Sequence, residues 1–224
     1  MSDLLRDGGL ACAAAAVLAV GGCASDGGRA DRGGEGELVR GTAAMEPEEV
    51  DVQAMMGAWT DYATPGPEHA AMLDAVGTWD VEMTAWNGGR GPGERSTGRA
   101  VVRPVLGGRY FEEDLEVDLS MGDQTMPFSG RSLSGYDNLR EEYFYVWADT
   151  FMTGVIRGWG EADESGDVIT YYTEEGPEPY VGGFKEMKSE SRRVSRDRHE
   201  FRMWEKDAAG EWVKVMEMVY RRAG

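Results

Sequence analysis

Cysteine is nearly absent from this chain. The 224 residues contain two, Cys12 and Cys23, both within or at the end of the first apolar run. Everything after that run therefore has no disulfide, no thiol nucleophile and no thiolate metal ligand. An exported domain manages without disulfides when its core is large enough. Histidine is equally scarce, with only His69 and His199. A Ser-His-Asp triad would have to use one of these, and no serine context singles out a nucleophile. There is no Gly-x-Ser-x-Gly elbow, His-Glu-x-x-His, P-loop or dinucleotide fingerprint. Basic charge is also short: Asp and Glu outnumber Lys and Arg by 41 to 23, a net charge of −18. A nucleic-acid partner needs clustered cations that release counterions, so this balance argues against one. Strands and helices do not alternate along the chain, which argues against a parallel sheet.

The first 23 residues read as a secretory leader. Leu10 to Gly22 is an apolar run too short for a bilayer, which takes ~20 residues, but suited to a signal core. It ends Leu18-Ala19-Val20-Gly21-Gly22-Cys23. This resembles the bacterial lipoprotein signal, which implies cleavage before Cys23 and a lipid on its sulfur. The reading places the protein in the bacterial cell envelope, on the periplasmic side, touching membrane through that anchor alone. Residues 24–46, rich in Gly, Ser and charge, cannot bury enough apolar surface to fold and are expected to form a flexible tether.

Residues 47–76 are expected to form a helical lead-in. Pro47 suits a first helical position. Val52, Met55, Met56, Trp59 and Tyr62 recur at helical spacing, predicting one apolar face packed on the same domain. Thr64-Pro65-Gly66-Pro67 stops that helix. A second short helix, about Pro67 to Val76, should turn Ala71, Met72, Ala75 and Val76 inward.

From Gly77 the pattern changes to a period of two. In Gly77-Thr78-Trp79-Asp80-Val81-Glu82-Met83 the apolar residues share one face and the acids the other, as in a half-buried strand. Nine further strand-like runs follow, near 95–105, 108–119, 125–136, 141–149, 152–161, 167–175, 183–195, 198–206 and 212–222. Turn signals such as Gly107-Gly108, Asp137-Asn138 and Gly176-Pro177 separate them. Ten sequential strands over residues 77–222 imply an all-β antiparallel meander, and closing it into a barrel removes its edges.

Several motifs in this region resemble a known family. They are Pro65-Gly66-Pro67-Glu68-His69, Gly77-Thr78-Trp79-Asp80, Val105-Leu106-Gly107-Gly108-Arg109-Tyr110, Met126-Pro127-Phe128-Ser129-Gly130, Gly135-Tyr136-Asp137-Asn138, Trp147-Ala148-Asp149 and Thr153-Gly154. In that order they resemble the bacterial domain of unknown function 1579, across about residues 65–222. The resemblance implies a calycin-like β-barrel and no agreed activity. The chain departs from that pattern in its third strand, where Glu112 to Leu119 is unusually acidic. The Gly-x-Trp opening is also similar to that of lipocalins, fatty-acid-binding proteins and nitrobindins. In lipocalins the Trp closes the barrel floor beneath an Arg of the last strand, a part that Arg221 or Arg222 could take here.

The candidate functional residues follow from the aromatic and Met-rich strands. Trp79, Met83, Phe128, Tyr136, Trp147 and Met203 are expected to line a lumen, with Arg109 and Asp149 as polar anchors within it. A barrel of about eight strands is filled by its own side chains, whereas a wider one can hold a ligand, so ten strands favour a cavity. Glu112, Asp114, Glu116 and Asp118 share one strand face and read as solvated. His199 is in phase with Phe201 and Met203. The nitrobindin likeness implies haem ligation there, set against an ordinary hydrogen-bonded strand histidine. Otherwise no cofactor and no metal is expected. Three functions remain open: binding of a small apolar or amphipathic molecule, an interaction role through the acidic face or the Met55/Met56/Trp59 helix, and a haem or enzymatic role through His199. An enzyme is the less favoured class.

Overall fold

The alternation that begins at Gly77 is carried through ten strands that close on themselves. The computed structural model describes residues 51–179 and 182–224. The strands are β1 (Gly77–Asn87), β2 (Arg90–Val105), β3 (Tyr110–Met121), β4 (Gln124–Asp137), β5 (Glu142–Asp149), β6 (Ile156–Ala162), β7 (Val168–Glu178), β8 (Gly183–Ser195), β9 (Arg198–Lys206) and β10 (Trp212–Arg222). Each pairs antiparallel with its sequence neighbours, and β1 also pairs with β10, giving a closed barrel. One residue in two points inward along each strand. On β3, Phe111, Leu115 and Val117 are buried, while Glu116 and Asp118 between them are exposed and Glu112 and Asp114 half-buried. Arg103 and Arg131 on the flanking strands pair with Glu112 and Asp114, so the acidic run is a solvated outer face laced with ion pairs.

The bore is filled by large residues set against small ones. Strand β5 contributes Tyr143, Tyr145 and Trp147, all buried. Its neighbours offer Gly130, Ser132 and Ser134 on β4, and Gly158 and Gly160 on β6. A Cβ placed on Gly130 would lie 2.1 Å from the Trp147 ring, and one on Gly158 would lie 2.3 Å from that of Tyr145. These glycines are thus the space that the aromatic side chains occupy. Trp79, Trp147, Tyr171, Tyr220, Phe111 and Phe201 are all fully buried. The expected cavity is therefore occupied by side chains, because ten strands carry enough aromatic volume to fill the wider bore.

Two helices precede the barrel: α1 (Val52–Ala63) and α2 (Pro67–Met72), the latter running into a 3₁₀ turn, Leu73–Ala75. The start of α1 differs from expectation. Asp51 caps it, its side chain accepting from the amides of Gln53 and Ala54; Pro47 lies outside the described residues. The larger difference is burial. No residue of α1 is buried, and Val52, Met55, Met56, Trp59 and Tyr62 are all exposed. The predicted packing of this stripe on its own domain does not occur. Among the described residues only the C-terminal end of α1 is held, by Arg109 Nε donating to the Ala63 carbonyl and Asn138 Nδ2 donating to those of Tyr62 and Thr64. The α2 segment does pack: Met72 and Ala75 are wholly buried across one end of the barrel. Strand β6 also begins later than predicted, since Phe151 and Met152 belong to the loop before it. Among the described residues no helix is long and apolar enough to cross a membrane. The predicted leader, Cys23 and tether lie outside the described residues.

Candidate functional site

The floor of the barrel is built from its first and last strands. Trp79 Nε1 donates to the Ala75 carbonyl at 2.9 Å, fixing α2 and its 3₁₀ turn over the bore. The Arg222 guanidinium lies 4.2 Å from the Trp79 ring centroid. It also donates to the carbonyls of Val76, Asp74 and Arg196. A partly exposed cation–π contact of this kind contributes on the order of 1 kcal/mol. Arg221, the alternative left open by the sequence, points outward to Glu82 at 2.8 Å. His199 meets Trp79 edge-on, with ring centroids 4.6 Å apart. Burial, reinforced by the charges of Arg222 and Arg193, pushes the His199 pKa down to about 4, so the ring is neutral at pH 7. Neither ring nitrogen has a hydrogen-bond partner.

Above this floor the lumen contains an acid that the sequence reading passed over. Glu113 points inward and is 2% exposed. Its register neighbours are Val102 on β2 and Ser132 on β4. Oε2 accepts from Ser132 Oγ at a long 3.5 Å, while Oε1 has no hydrogen-bond partner. Burial raises its pKa from an ordinary 4.5 to about 8, against the opposing effects of the Tyr220 and Ser132 hydroxyls. Glu113 is therefore chiefly a neutral carboxylic acid at pH 7. The Tyr220 hydroxyl meanwhile donates to the Met218 sulfur at 3.7 Å.

A second polar group lies on β5, β7 and β8. The Tyr145 and Thr173 hydroxyls share a hydrogen bond of 2.9 Å. The Tyr171 hydroxyl and Ser189 Oγ, buried beside them, have no partner. Around these polar atoms the wall is soft: Met83, Met187, Met203, Met216 and Met218 are all buried. At the end opposite the floor, Phe151 and Met152 fold onto the core, and Phe151 stands edge-on to Phe128 at 5.2 Å. Lys185 ties Glu178 to Glu205 at the same rim.

Trp79, Met83, Phe128, Trp147, His199 and Met203 are brought into one interior. Tyr136 packs against the same core from the floor end, and two predicted residues do not join it. Arg109 is exposed, because the Leu106–Gly108 turn sets it outside the bore, where it holds the end of α1. It anchors nothing in the lumen. Asp149 sits half-buried at the rim and caps the local turn, accepting from Trp147 Nε1 and the Phe151 amide, both at 2.8 Å. Tyr136 is half-buried at the floor end, edge-on to His69 and Tyr143. Haem does not fit this arrangement. A porphyrin needs an open slot beside the ligating nitrogen, and His199 is fully buried with Trp79 against its ring. The described residues contain no cluster of His, Cys, Asp and Glu able to hold a metal ion. Glu113 could have been found from the sequence, since it shares the phase of Phe111, Leu115 and Val117. Tyr171 and Ser189 carried no comparable signal.

Comparison with known proteins yields one family and a set of barrels. The model of a family described as protein of unknown function (DUF1579) matches residues 64–222. No curated protein matches the chain. Among solved structures, Rv2717c from M. tuberculosis superposes with a TM-score of 0.51 at 13% identity, over 72% of this chain and 100% of that one. A redesigned β-barrel, b11L5F_LGL, gives 0.34 at 14% identity over 67% of this chain and 93% of its own. Another, mFAP0 bound to DFHBI, gives 0.35 at 13% identity over 66% and 99%. At these identities the likeness to Rv2717c concerns the barrel fold alone, and those to the two redesigned barrels carry no argument.

Proposed function

Since the chain belongs to this DUF1579 family of unknown function, and membership assigns no activity, we propose from the geometry that it is a binding protein for a small, neutral, amphipathic molecule held in the barrel lumen. One observation carries the reading. Five buried polar atoms, Glu113 Oε1, Tyr171 Oη, Ser189 Oγ and both ring nitrogens of His199, have no protein partner. Leaving a buried polar group unsatisfied costs about 1–3 kcal/mol, so a core built only for stability does better with apolar residues at these positions. A ligand with donors and acceptors would satisfy several of them. The five buried methionines of the barrel strands can repack to make room, because an unbranched thioether side chain changes rotamer cheaply. The Phe151–Met152 loop offers the route in. Among the described residues an anionic ligand finds no free cation in the lumen, since Arg109 is outside and Arg222 and Arg193 are engaged at the floor. The test uses a neutral amphiphilic dye, Nile red. We expect a saturable fluorescence rise, weakened at least about tenfold, or ~1.4 kcal/mol, in Glu113→Leu. The absence of saturable binding, or unchanged affinity in the variant, would overturn the reading.

We further propose that the protein works in the bacterial envelope, on the periplasmic side of the membrane, tethered by lipid at Cys23. The supporting observation is the sequence Leu18 to Cys23 at the end of a short apolar run. Palmitate labelling in cells should mark the protein and be abolished in Cys23→Ser. Labelling that persists in the variant would rule the tether out.

A further inference from the structure

Exposed apolar side chains gather at the floor end of the barrel. The chain enters there through α1, whose Met55, Met56 and Trp59 are exposed. Two hairpin turns at the same end carry leucines at their tips. Leu106, in the turn from β2 to β3, is 72% exposed, and Leu139, in that from β4 to β5, is 80% exposed. Both stand beside the end of α1. The Arg109 guanidinium donates to the Ala63 and Leu106 carbonyls together. Asn138, next to Leu139, donates to those of Tyr62 and Thr64. Leu73, in the 3₁₀ turn across the floor, is exposed as well.

Stability does not account for these leucines. Leu106 has a φ of 48°, in the left-handed region that Asn and Asp adopt more readily than leucine. Its side chain buries little in return. Strain kept at an exposed position points to a use of that side chain. A single exposed leucine is ordinary, but three beside an uncovered apolar helix make a patch. The leucines protrude from turns. A fluid bilayer accepts such a surface without a shaped counterpart, whereas a protein partner needs a matching relief. Trp59 and Tyr62 are of the residue types that favour the headgroup layer. The position of the patch in the chain adds a further reason. Segment 24–50 joins α1 to Cys23. A flexible coil of that length spans about 30 Å, so a lipid at Cys23 holds this end within reach of a bilayer. The net charge of −18 opposes an anionic bilayer, so the attraction is apolar.

We propose that the floor end of the barrel docks on a lipid bilayer, with Leu106, Leu139 and the Met55/Met56/Trp59 face of α1 entering the headgroup layer. The inference rests on the envelope reading above for the membrane that it meets. It is independent of the lumen. Docking in this sense leaves the opposite end, with Phe151 and Met152, facing water.

The test uses the full chain carrying Cys12→Ser and Cys23→Ser. No lipid is then attached, so its outcome is separate from the palmitate test of the tether. A single nitroxide is introduced through Met56→Cys, Leu106→Cys, Leu139→Cys or Phe184→Cys. Its collisions with oxygen and with a water-soluble nickel chelate, read by electron paramagnetic resonance, give its depth. Phe184 is the control, 72% exposed like Leu106 but at the opposite rim. With phosphatidylcholine vesicles, the labels at positions 56, 106 and 139 should move about 5–10 Å into the headgroup boundary. The label at position 184 should stay in water. Adding Leu106→Asp and Leu139→Asp should return the label at position 56 to water. Aspartate suits the left-handed backbone at position 106, so the fold is kept, and circular dichroism checks it. The proposal is overturned if the first three labels stay in water, if position 184 sinks to the same depth, or if the aspartate pair leaves position 56 buried. Shielding that needs no vesicles and grows with protein concentration would place a second copy on this face and overturn it as well.

Discussion

At the scale of single residues, Glu113 has the clearest measurable consequence. Its pKa is about 8 in the folded chain and near 4.5 when exposed. Between those values the native state holds a proton that the unfolded state has released. Stability attributable to this group is therefore fully present below about pH 4.5 and is lost as pH rises towards 8. Glu113→Gln keeps the shape and removes the titration. In urea unfolding at pH 5 and pH 8.5, the wild-type protein should lose more stability on going up than the variant. Equal losses would show that Glu113 does not titrate in this range. The same residue shows what alternation could reveal. Glu112, Asp114 and Glu116 are outward by phase, and Glu113, in phase with Phe111 and Leu115, is inward. A run of acids hides this, because adjacent like charges read as one solvated surface.

At the scale of elements, the two helices contrast. Both α1 and α2 carry apolar residues at helical spacing, yet only α2 buries them. The difference lies in what each faces. The α2 segment crosses the open end of the barrel, where Trp79 needs a cover. The barrel covers no residue of α1, and among the described residues only the helix's last carbonyls are tied. Removing residues up to Ala63 should therefore cost the barrel less than about 1 kcal/mol in denaturant unfolding. Met72→Ala, in contrast, should cost about 2–5 kcal/mol, since it empties a fully buried site. A large loss on removing α1 would contradict this assignment. Helical periodicity predicts that a face is apolar, but it does not say whether any neighbour covers it.

At the scale of the whole molecule, the barrel depends on matched volumes and on closure at its floor. Trp147 occupies the space above Gly130, and Tyr145 the space above Gly158. Arg222 joins the last strand to the segment before the first, so the chain is closed at the place where a meander would otherwise leave two edges. The sequence by itself determined the strands, their antiparallel order and the fact of closure, because a period of two and glycine-rich turns are local signals. It also placed Trp79, Met83, Phe128, Trp147, His199 and Met203 on inward faces by phase. Tertiary structure alone decided that Arg222, not Arg221, covers Trp79, and that Arg109 and Asp149 stand outside the lumen. It likewise decided that the bore is filled, that Glu113, Tyr171, Ser189 and His199 keep unsatisfied polar atoms, and that β6 and β7 part. Each of these depends on which strands meet across the barrel and at what register. That is set by the packing of residues far apart in the chain, which no local pattern records.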